Sequence, residues 1–205
     1  MAVPCRRCGR EYDVALFEFG RTIWCTCGQR VGIEPRVRRQ SSATERRFVA
    51  DAMLGRLARW LRLLGFDCTY DSTITDEGLV RLALADTRTI LTRDRRLPKE
   101  WWIEGIYLVR AESVRNQLVE VIQRFGLASS IRILTRCSAC NRTLNPVSRA
   151  EVSGRVPPRT FSLQEAFFEC PGCRRVYWEG SHAARIREFA ETLVSGFLLD
   201  QVTDR

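Results

Sequence analysis

The chain has 205 residues, enough for one ordinary domain with small appendages or for two small domains. Hydrophobic residues make up 45% and charged residues 28%, a globular balance that excludes a wholly disordered chain. No apolar run approaches the roughly 18 residues of a membrane span. The 33 basic residues exceed the 24 acidic residues by a net charge of +9, which favours a polyanionic partner. The opening segment has no apolar signal core, so we expect a cytoplasmic protein.

Two cysteine pairs near the C-terminus have the spacing of zinc ligands: Cys137-x-x-Cys140 and Cys170-x-x-Cys173. Each pair places two thiolates on one tight turn, and two such turns form the four-sulfur shell that zinc prefers. Pro171 and Gly172 suit the second turn. A redox function would need only one such pair beside the start of a helix. The spacing therefore predicts a zinc ribbon with a structural metal.

A second cysteine quartet near the N-terminus has one pair that is a residue shorter: Cys5, Cys8, Cys25 and Cys27. Gly9 and Gly28 follow the two pairs, as turns around a metal favour. The apolar pattern predicts two short strands, at 12–17 and 22–24. We expect a second structural zinc here. The ninth cysteine, Cys68, lies among apolar residues of a predicted strand, where core packing is the expected role.

The middle of the chain alternates strand and helix signals. The apolar runs predict strands at 47–50, 66–70, 89–92, 105–109 and 131–134. The periodicity predicts helices at 52–64, 75–86 and 113–125. Thr75 is a candidate N-cap, and Gly65 and Gly126 are candidate helix stops. Such alternation is typical of an α/β fold, with a mostly parallel sheet covered by helices on both faces.

The predicted domains follow from these patterns. The segment EPRVRRQSSATER is polar and basic, as in a linker. Ser181 can cap a final helix that carries an apolar stripe, and the sole histidine, His182, falls in its first turn, where a structural role is more common than proton donation. The predicted boundaries are a zinc-ribbon-like module at 1–33, a linker at 34–46, an α/β domain at 47–135, a zinc ribbon at 136–180 and a C-terminal helix at 181–205.

Acidic residues stand at the ends of the predicted strands. Asp51, Asp71 and Asp94 each follow a strand, and Asp76 opens a helix. Because the carboxyl ends of parallel strands form one edge of a sheet, these acids can converge there. Converging carboxylates require a divalent cation, and oxygen ligands select Mg²⁺ or Mn²⁺. The alternative is that each aspartate is an ordinary turn former or cap.

Several blocks of the sequence resemble a known family. In order, they are FVADAMLGRLARWLRLLGFDCTYDS, TDEGLVRLA, ILTRDRRL, RCSACNRTL, RVPP and CPGCRRVYWEGSH. From about Phe48 to His182 they are similar to the Mut-seven C-terminal RNase family, a PIN-like nuclease group with a C-terminal zinc ribbon. The resemblance implies a PIN-like fold with catalytic, metal-binding acids at Asp51, Asp76 and Asp94, and Asp71 also fits a motif position. Glu112 is the candidate for the fourth acid of such sites.

Arginines accompany these acids. Arg56, Arg59 and Arg62 lie three residues apart on one helix stripe, and Arg93 belongs to the Thr-Arg-Asp block of the family. We expect Arg56, Arg59 and Arg93 to bind RNA phosphates. For Arg62, a solvated helix face is the expected role. The pair Trp101–Trp102 can stack on bases, but core packing or a lid on the zinc module is the favoured alternative.

These observations predict a metal-dependent ribonuclease with two structural zinc ions and a catalytic Mg²⁺ or Mn²⁺. Bound water would hydrolyse the phosphodiester, leaving 5′-phosphate and 3′-hydroxyl ends as the resemblance implies. The expected partner is RNA, with a ribosome or another RNA–protein assembly as a further candidate and no membrane. One rival is a non-catalytic RNA- or ribosome-associated adaptor with a decayed PIN fold. Another is a zinc-ribbon partner of a transcription or protein assembly.

Overall fold

A computed structural model of the chain describes residues 1–33, 46–181 and 183–192. Most of the predicted linker, His182 and the end of the predicted C-terminal helix lie outside these ranges. No helix in the described ranges combines the length and the apolar character needed to cross a membrane. Contacts divide the chain into two compact units. Within the described ranges, the first comprises residues 1–33, 47–55 and 70–110, and the second comprises residues 46, 56–69, 111–181 and 183–192.

The N-terminal module in the first unit consists of two small antiparallel hairpins. Their strands are β1 (Ala2–Pro4) with β2 (Glu11–Asp13), and β3 (Thr22–Trp24) with β4 (Arg30–Gly32). The predicted strand at 22–24 is confirmed. The one predicted at 12–17 is wrong beyond Asp13, because the Asp13 carboxylate accepts a hydrogen bond from the Ala15 backbone and starts the 3₁₀ turns of Val14–Gly20.

The central sheet has four strands in the order β6-β5-β7-β8. They are β5 (Phe48–Ala50), β6 (Cys68–Tyr70), β7 (Thr89–Thr92) and β8 (Ile106–Leu108). Strand β7 is parallel to both β5 and β8. The structure therefore confirms the predicted α/β class with a parallel sheet. The fifth predicted strand, at 131–134, is wrong: the segment forms no strand because Leu134 has a φ of 56°, which breaks an extended backbone.

The helices of the α/β part are α1 (Gly55–Leu63), α2 (Asp76–Asp86), α3 (Leu97–Glu100) and α4 (Val114–Phe125). The predicted cap is confirmed, since the Thr75 hydroxyl accepts a hydrogen bond from the backbone of Gly78 at 3.1 Å. Gly126 ends α4 with a φ of 63°, also as predicted. In the first unit, Leu79 and Val80 of α2 pack with the strand residue Ile90 in one buried core.

The second unit contains the C-terminal cysteine module. Its strands β9 (Asn145–Val147), β10 (Phe167–Glu169) and β11 (Val176–Trp178) form an antiparallel sheet with β10 in the centre. Short helices α5 (Arg149–Val152) and α6 (Pro158–Leu163) lie between β9 and β10. Val152, Val156 and Phe167 form its small apolar core. Residues 183–192 are helical, in line with the predicted final helix as far as it is described.

Candidate functional site

Each cysteine quartet gathers its four sulfur atoms within 4.8 Å of one another. The Sγ atoms of Cys5 and Cys27 are 3.6 Å apart, and those of Cys140 and Cys170 are 3.2 Å apart. Four sulfurs bound to a tetrahedral zinc at about 2.3 Å would be about 3.8 Å apart. All nine cysteines are free thiols. The two groups therefore have the donor set and the spacing of structural zinc sites, as the sequence predicted.

The backbone around the cysteines forms matching turns in both modules. The residue after the second cysteine of each pair has a positive φ: Gly9, Gly28, Asn141 and Arg174. The N–H of Gly28 donates to the Cys25 carbonyl at 2.8 Å, and that of Asn141 donates to the Cys137 carbonyl at 3.0 Å. The shorter Cys25-x-Cys27 pair thus closes its turn with a backbone hydrogen bond to the first cysteine, as the longer pairs do, but over one residue fewer.

A tyrosine hydroxyl supports one buried thiol in each module. The backbone of Cys27 and the hydroxyl of Tyr12 lower the pKa of Cys25 to about 6. At Cys137 burial acts to raise the pKa, but the Tyr177 hydroxyl, 3.0 Å from the sulfur, and neighbouring backbone N–H groups lower it to about 6. Because zinc binds thiolates rather than thiols, these contacts favour the metal-binding form.

The acidic group begins at the end of β5. Asp51 is only 7% exposed, and its Oδ2 accepts a hydrogen bond from the Thr92 hydroxyl at 2.5 Å. The Thr92 oxygen in turn accepts a hydrogen bond from the backbone of Asp94 at 2.9 Å. Thr92 therefore links the ends of the neighbouring strands β5 and β7. In the described ranges Asp51 forms no ion pair, which leaves a nearly buried carboxylate without a compensating charge.

Close packing fixes the turn that carries Asp51. The Tyr70 hydroxyl donates a hydrogen bond to the Ala52 carbonyl at 3.0 Å. A Cβ atom at Gly55 would lie 2.6 Å from the Tyr70 ring, so only glycine fits at this position without a shift. The first turn after β5 is thereby held against the residue that ends β6.

Asp94 occupies a turn of its own. Its Oδ1 accepts a hydrogen bond from the Arg96 backbone at 2.8 Å, and its Oδ2 lies 3.3 Å from the Arg96 guanidinium. The backbone hydrogen bond from Arg96, followed by the contacts with its side chain, lowers the pKa of Asp94. Asp94 therefore stays ionised at neutral pH, beside the exposed guanidinium of Arg96.

Asp76 completes the group at the start of α2. Burial, followed by the negative charges of Asp51, Asp94 and Glu100, raises the pKa of Asp76. The charges of Asp51, Asp94 and Glu100 therefore all act on Asp76. Glu100, at the end of α3, is the acid that sequence reasoning missed. It belongs to a four-residue helix with no motif around it, so no sequence signal pointed to it.

The chemistry of this donor set fits a divalent cation. Carboxylate oxygens are typical ligands of Mg²⁺ and Mn²⁺, and a cation would compensate the buried charge of Asp51. The acids are more widely spaced than the cysteines. In the part of the chain that the structure describes, only the two cysteine groups bring three or more ligand atoms within 4.8 Å of one another.

Two other candidate acids are not among the charges that act on Asp76. The Asp71 carboxylate accepts hydrogen bonds at 2.8 Å from the backbone and the hydroxyl of Thr73, and both lower its pKa. Asp71 is exposed and is not among the charges that act on Asp76. Glu112 is also exposed, and its carbonyl accepts a hydrogen bond from Gln117 in the second unit. The turn-forming alternative therefore describes Asp71 well.

The arginines separate into exposed and buried positions. Arg56, Arg59 and Arg93 are exposed and accessible to phosphates. The solvated position expected for Arg62 is wrong. Arg62 is 5% exposed, and its guanidinium donates hydrogen bonds at 2.7 Å to the carbonyls of Cys68 and Ala139. Cys68 itself is fully buried, as the core-packing prediction expected.

The tryptophan pair packs inside the first unit. Trp101 is 6% exposed and belongs to the core that contains Leu97. Trp102 lies under the guanidinium of Arg30, and its backbone donates to the Gly20 carbonyl at 2.7 Å. Base stacking is therefore wrong for Trp101, and the packing alternative is confirmed.

The N-terminal module is fastened to the helix that carries Glu100. The hydroxyl of Thr22 donates to the Glu100 carbonyl at 2.8 Å. The guanidinium of Arg30 donates to the Pro98 carbonyl at 3.1 Å and lies 5.0 Å from the Trp102 ring. The module thus stabilises the position of α3, a role that its charge pattern did not reveal.

The effect of neighbouring acids on Asp76 should be visible in the pH dependence of the protein's stability. Because the pKa of Asp76 is raised above the unfolded value of about 3.9, the folded chain keeps this proton to higher pH than the unfolded chain. The resulting stability is present below about pH 4 and is lost as pH rises through the folded pKa. In magnesium-free buffer with zinc retained, Asp76→Asn should gain stability relative to wild type between about pH 4 and pH 7. Thermal unfolding across this range measures the difference.

The matched control is Asp71→Asn, which should change stability in the opposite direction. Hydrogen bonds from Thr73 lower the Asp71 pKa, so its stabilising contribution is present above about pH 3.9 and is lost as pH falls. Asp71→Asn should therefore lose stability relative to wild type as pH rises. If stability depends on pH in the same way in wild type and in both variants, Asp76 is not close to the other acids.

Fold and site together describe an α/β protein with carboxylates at the edge of a parallel sheet and two four-cysteine modules. The family model of the Mut7-C RNAse domain matches residues 46–190. The match spans most of the chain, and the chain belongs to the Mut7-C RNase domain family, as the sequence resemblance implied. Comparisons with curated proteins and with solved structures give no significant match. The N-terminal module lies outside the matched residues.

Proposed function

We propose that this protein is a metal-dependent ribonuclease that hydrolyses RNA phosphodiester bonds at the sheet edge. The observation that carries the proposal is the acidic group: Asp51, nearly buried and linked to Asp94 through Thr92, in the same field as Asp76. Membership of an RNase domain family supports RNA as the substrate. Asp51, Asp76 and Asp94 are the residues that would hold Mg²⁺ or Mn²⁺, with Glu100 as a fourth acid.

The bound ion supplies an activated water and neutralises charge on the phosphodiester. The chain's own residues prepare the site for it. Thr92 holds the carboxylate of Asp51 in place, and the backbone of Arg96 keeps Asp94 ionised. Attack on phosphorus would leave 5′-phosphate and 3′-hydroxyl ends.

Exposed arginines would contact RNA phosphates. Arg93 precedes Asp94 in the first unit, and Arg56 and Arg59 project from α1 in the second. Guanidinium groups make bidentate contacts with phosphates, and such contacts position a nucleic acid without reading its sequence. The two cysteine modules would hold zinc as structural ions, since four cysteine ligands leave no open coordination position.

Asp94→Asn tests the proposal. The amide oxygen can still accept the Arg96 backbone hydrogen bond, so the turn should persist while the metal ligand is lost. Cleavage of a labelled RNA in magnesium should fall by about a hundredfold or more, because even residues that only orient metal ligands contribute 10- to 100-fold. RNA binding should survive, because Asp94 serves the metal and not the phosphate.

Asp13→Asn is the matched control, because Asp13 also accepts a backbone hydrogen bond two residues ahead but lies in the N-terminal module. Its cleavage rate should equal that of wild type. Both variants and the wild type must be purified in parallel to remove contaminating nuclease. Equal cleavage by Asp94→Asn and wild type would reject the nuclease and favour an RNA-binding adaptor.

A further inference from the structure

A cavity of about 480 Å³ in the second unit combines aromatic rings with arginines. This volume lies within the range of small-ligand pockets. The cavity is formed by α1, α4 and the helical residues 183–192, and we call it the aromatic–arginine cavity. The lining residues that carry the inference are Arg56, Trp60, Arg115, Arg185, Glu188 and Phe189.

Two aromatic rings line this cavity and remain partly exposed. The ring centroids of Trp60 and Phe189 are 5.7 Å apart, with an angle of 68° between the rings. The guanidinium of Arg115 lies 5.4 Å from the Phe189 centroid. A flat, delocalised cation thus occupies a ring face of Phe189. Nucleobases have flat π surfaces of the same kind, and stacking on aromatic side chains is a common way of binding single strands.

The charge of the lining is strongly positive. Arg56, Arg115 and Arg185 are exposed, and Glu188 is the single acid among the lining residues. Within the ranges that the structure describes, none of the three arginines forms an ion pair. Three unpaired guanidinium groups around aromatic rings match a ligand that has both phosphates and flat bases. An acidic peptide would satisfy the charges but would leave the rings without a partner.

We propose that the aromatic–arginine cavity binds a nucleotide of single-stranded RNA. The base stacks on Phe189 beside Trp60, and the arginines contact the adjoining phosphates. Arg115 moves from the ring face to a phosphate when the base enters. Because every base has a π face, the subsite should accept any of the four bases. The proposal rests on the proposed function for its choice of RNA, but it concerns binding and requires no cleavage.

The test compares a single-stranded RNA of about ten nucleotides with an abasic oligonucleotide of the same length and backbone. Binding is measured by fluorescence anisotropy in the Asp94→Asn chain, so that the RNA stays intact. Phe189→Leu keeps an apolar side chain but removes the π face. It should weaken RNA binding about tenfold and leave binding of the abasic strand unchanged.

Phe161→Leu is the matched control, because Phe161 also lies under a guanidinium, that of Arg149 at 4.7 Å, but is outside the cavity. It should leave both affinities unchanged. Arg185→Gln, at an exposed position, should lower the salt dependence of binding for both oligonucleotides by about 0.7 per lost phosphate contact. If Phe189→Leu lowers the melting temperature, the salt dependence of Arg185→Gln still tests the cavity.

Three results would overturn the proposal: no effect of Phe189→Leu, an equal loss for RNA and the abasic strand, or equally strong competition by an acidic peptide. The experiments distinguish failure of the nuclease proposal from failure of the cavity proposal. If wild type does not cleave RNA but Phe189→Leu still weakens base-dependent binding, the cavity stands and the nuclease is rejected. If cleavage depends on Asp94 but not on Phe189, and RNA and the abasic strand bind equally well, the nuclease stands and the cavity proposal is rejected.

Discussion

Cys170→Ser should unfold the C-terminal cysteine module. Cys170 is fully buried, and its sulfur lies 3.2 Å from that of Cys140. The module has short strands and a small core around Val152 and Phe167, too little apolar surface to fold without a metal. Zinc binding in such modules contributes about 10–16 kcal/mol, which is coupled to folding. Loss of one ligand should therefore abolish the module's cooperative thermal transition and release its zinc.

Elemental analysis and thermal unfolding check this result. Wild type should contain about two zinc atoms per chain, and Cys170→Ser about one. Cys68→Ser is the matched control, because Cys68 is equally buried but belongs to neither quartet. It should keep both zinc atoms. A full zinc content in Cys170→Ser would contradict the C-terminal site, and one atom in wild type would remove the N-terminal site from the account.

Arg62→Met should destabilise the second unit by about 2 kcal/mol, because the buried carbonyl of Cys68 loses its donor at about 1–3 kcal/mol and the partly buried hydrogen bond to Ala139 is lost as well. The guanidinium of Arg62 joins the end of α1 to Cys68 and to Ala139 in the Cys137–Cys140 turn, with both hydrogen bonds at 2.7 Å. Methionine fills a similar volume but donates nothing. Urea or thermal unfolding of the zinc-loaded chain measures the loss.

Arg59→Met provides the comparison, because Arg59 lies on the same helix but is exposed. Its stability should stay within about 0.5 kcal/mol of wild type. Arg62→Lys should recover only part of the loss, since an ammonium lacks the planar fork that reaches two carbonyls. Equal stability of the two methionine variants would show that Arg62 does not stabilise the Cys137–Cys140 turn.

The acidic group was predictable in part. Asp51 and Asp94 follow buried strands, and the carboxyl ends of parallel strands lie at one edge, so their approach follows from topology. Asp71 follows a strand as well, but its hydrogen bonds with Thr73 show that the same local pattern also makes an ordinary turn. Glu100 joins the group from α3, which packs in the core through Leu97 and is bound to the N-terminal module by contacts such as that from Thr22. Such contacts join residues far apart in sequence and leave no local pattern.

The sequence by itself determined the features that depend on near neighbours. These are the helix caps at Thr75 and Gly126 and the turns of the cysteine pairs, which form over four or five residues. Only the tertiary structure decided which polar residues were buried and which apolar segments paired. Arg62 has the helical spacing of an exposed residue but is buried, and the apolar segment 131–134 forms no strand. Burial and strand pairing depend on distant parts of the chain, whereas caps and turns are set by hydrogen bonds within a few residues.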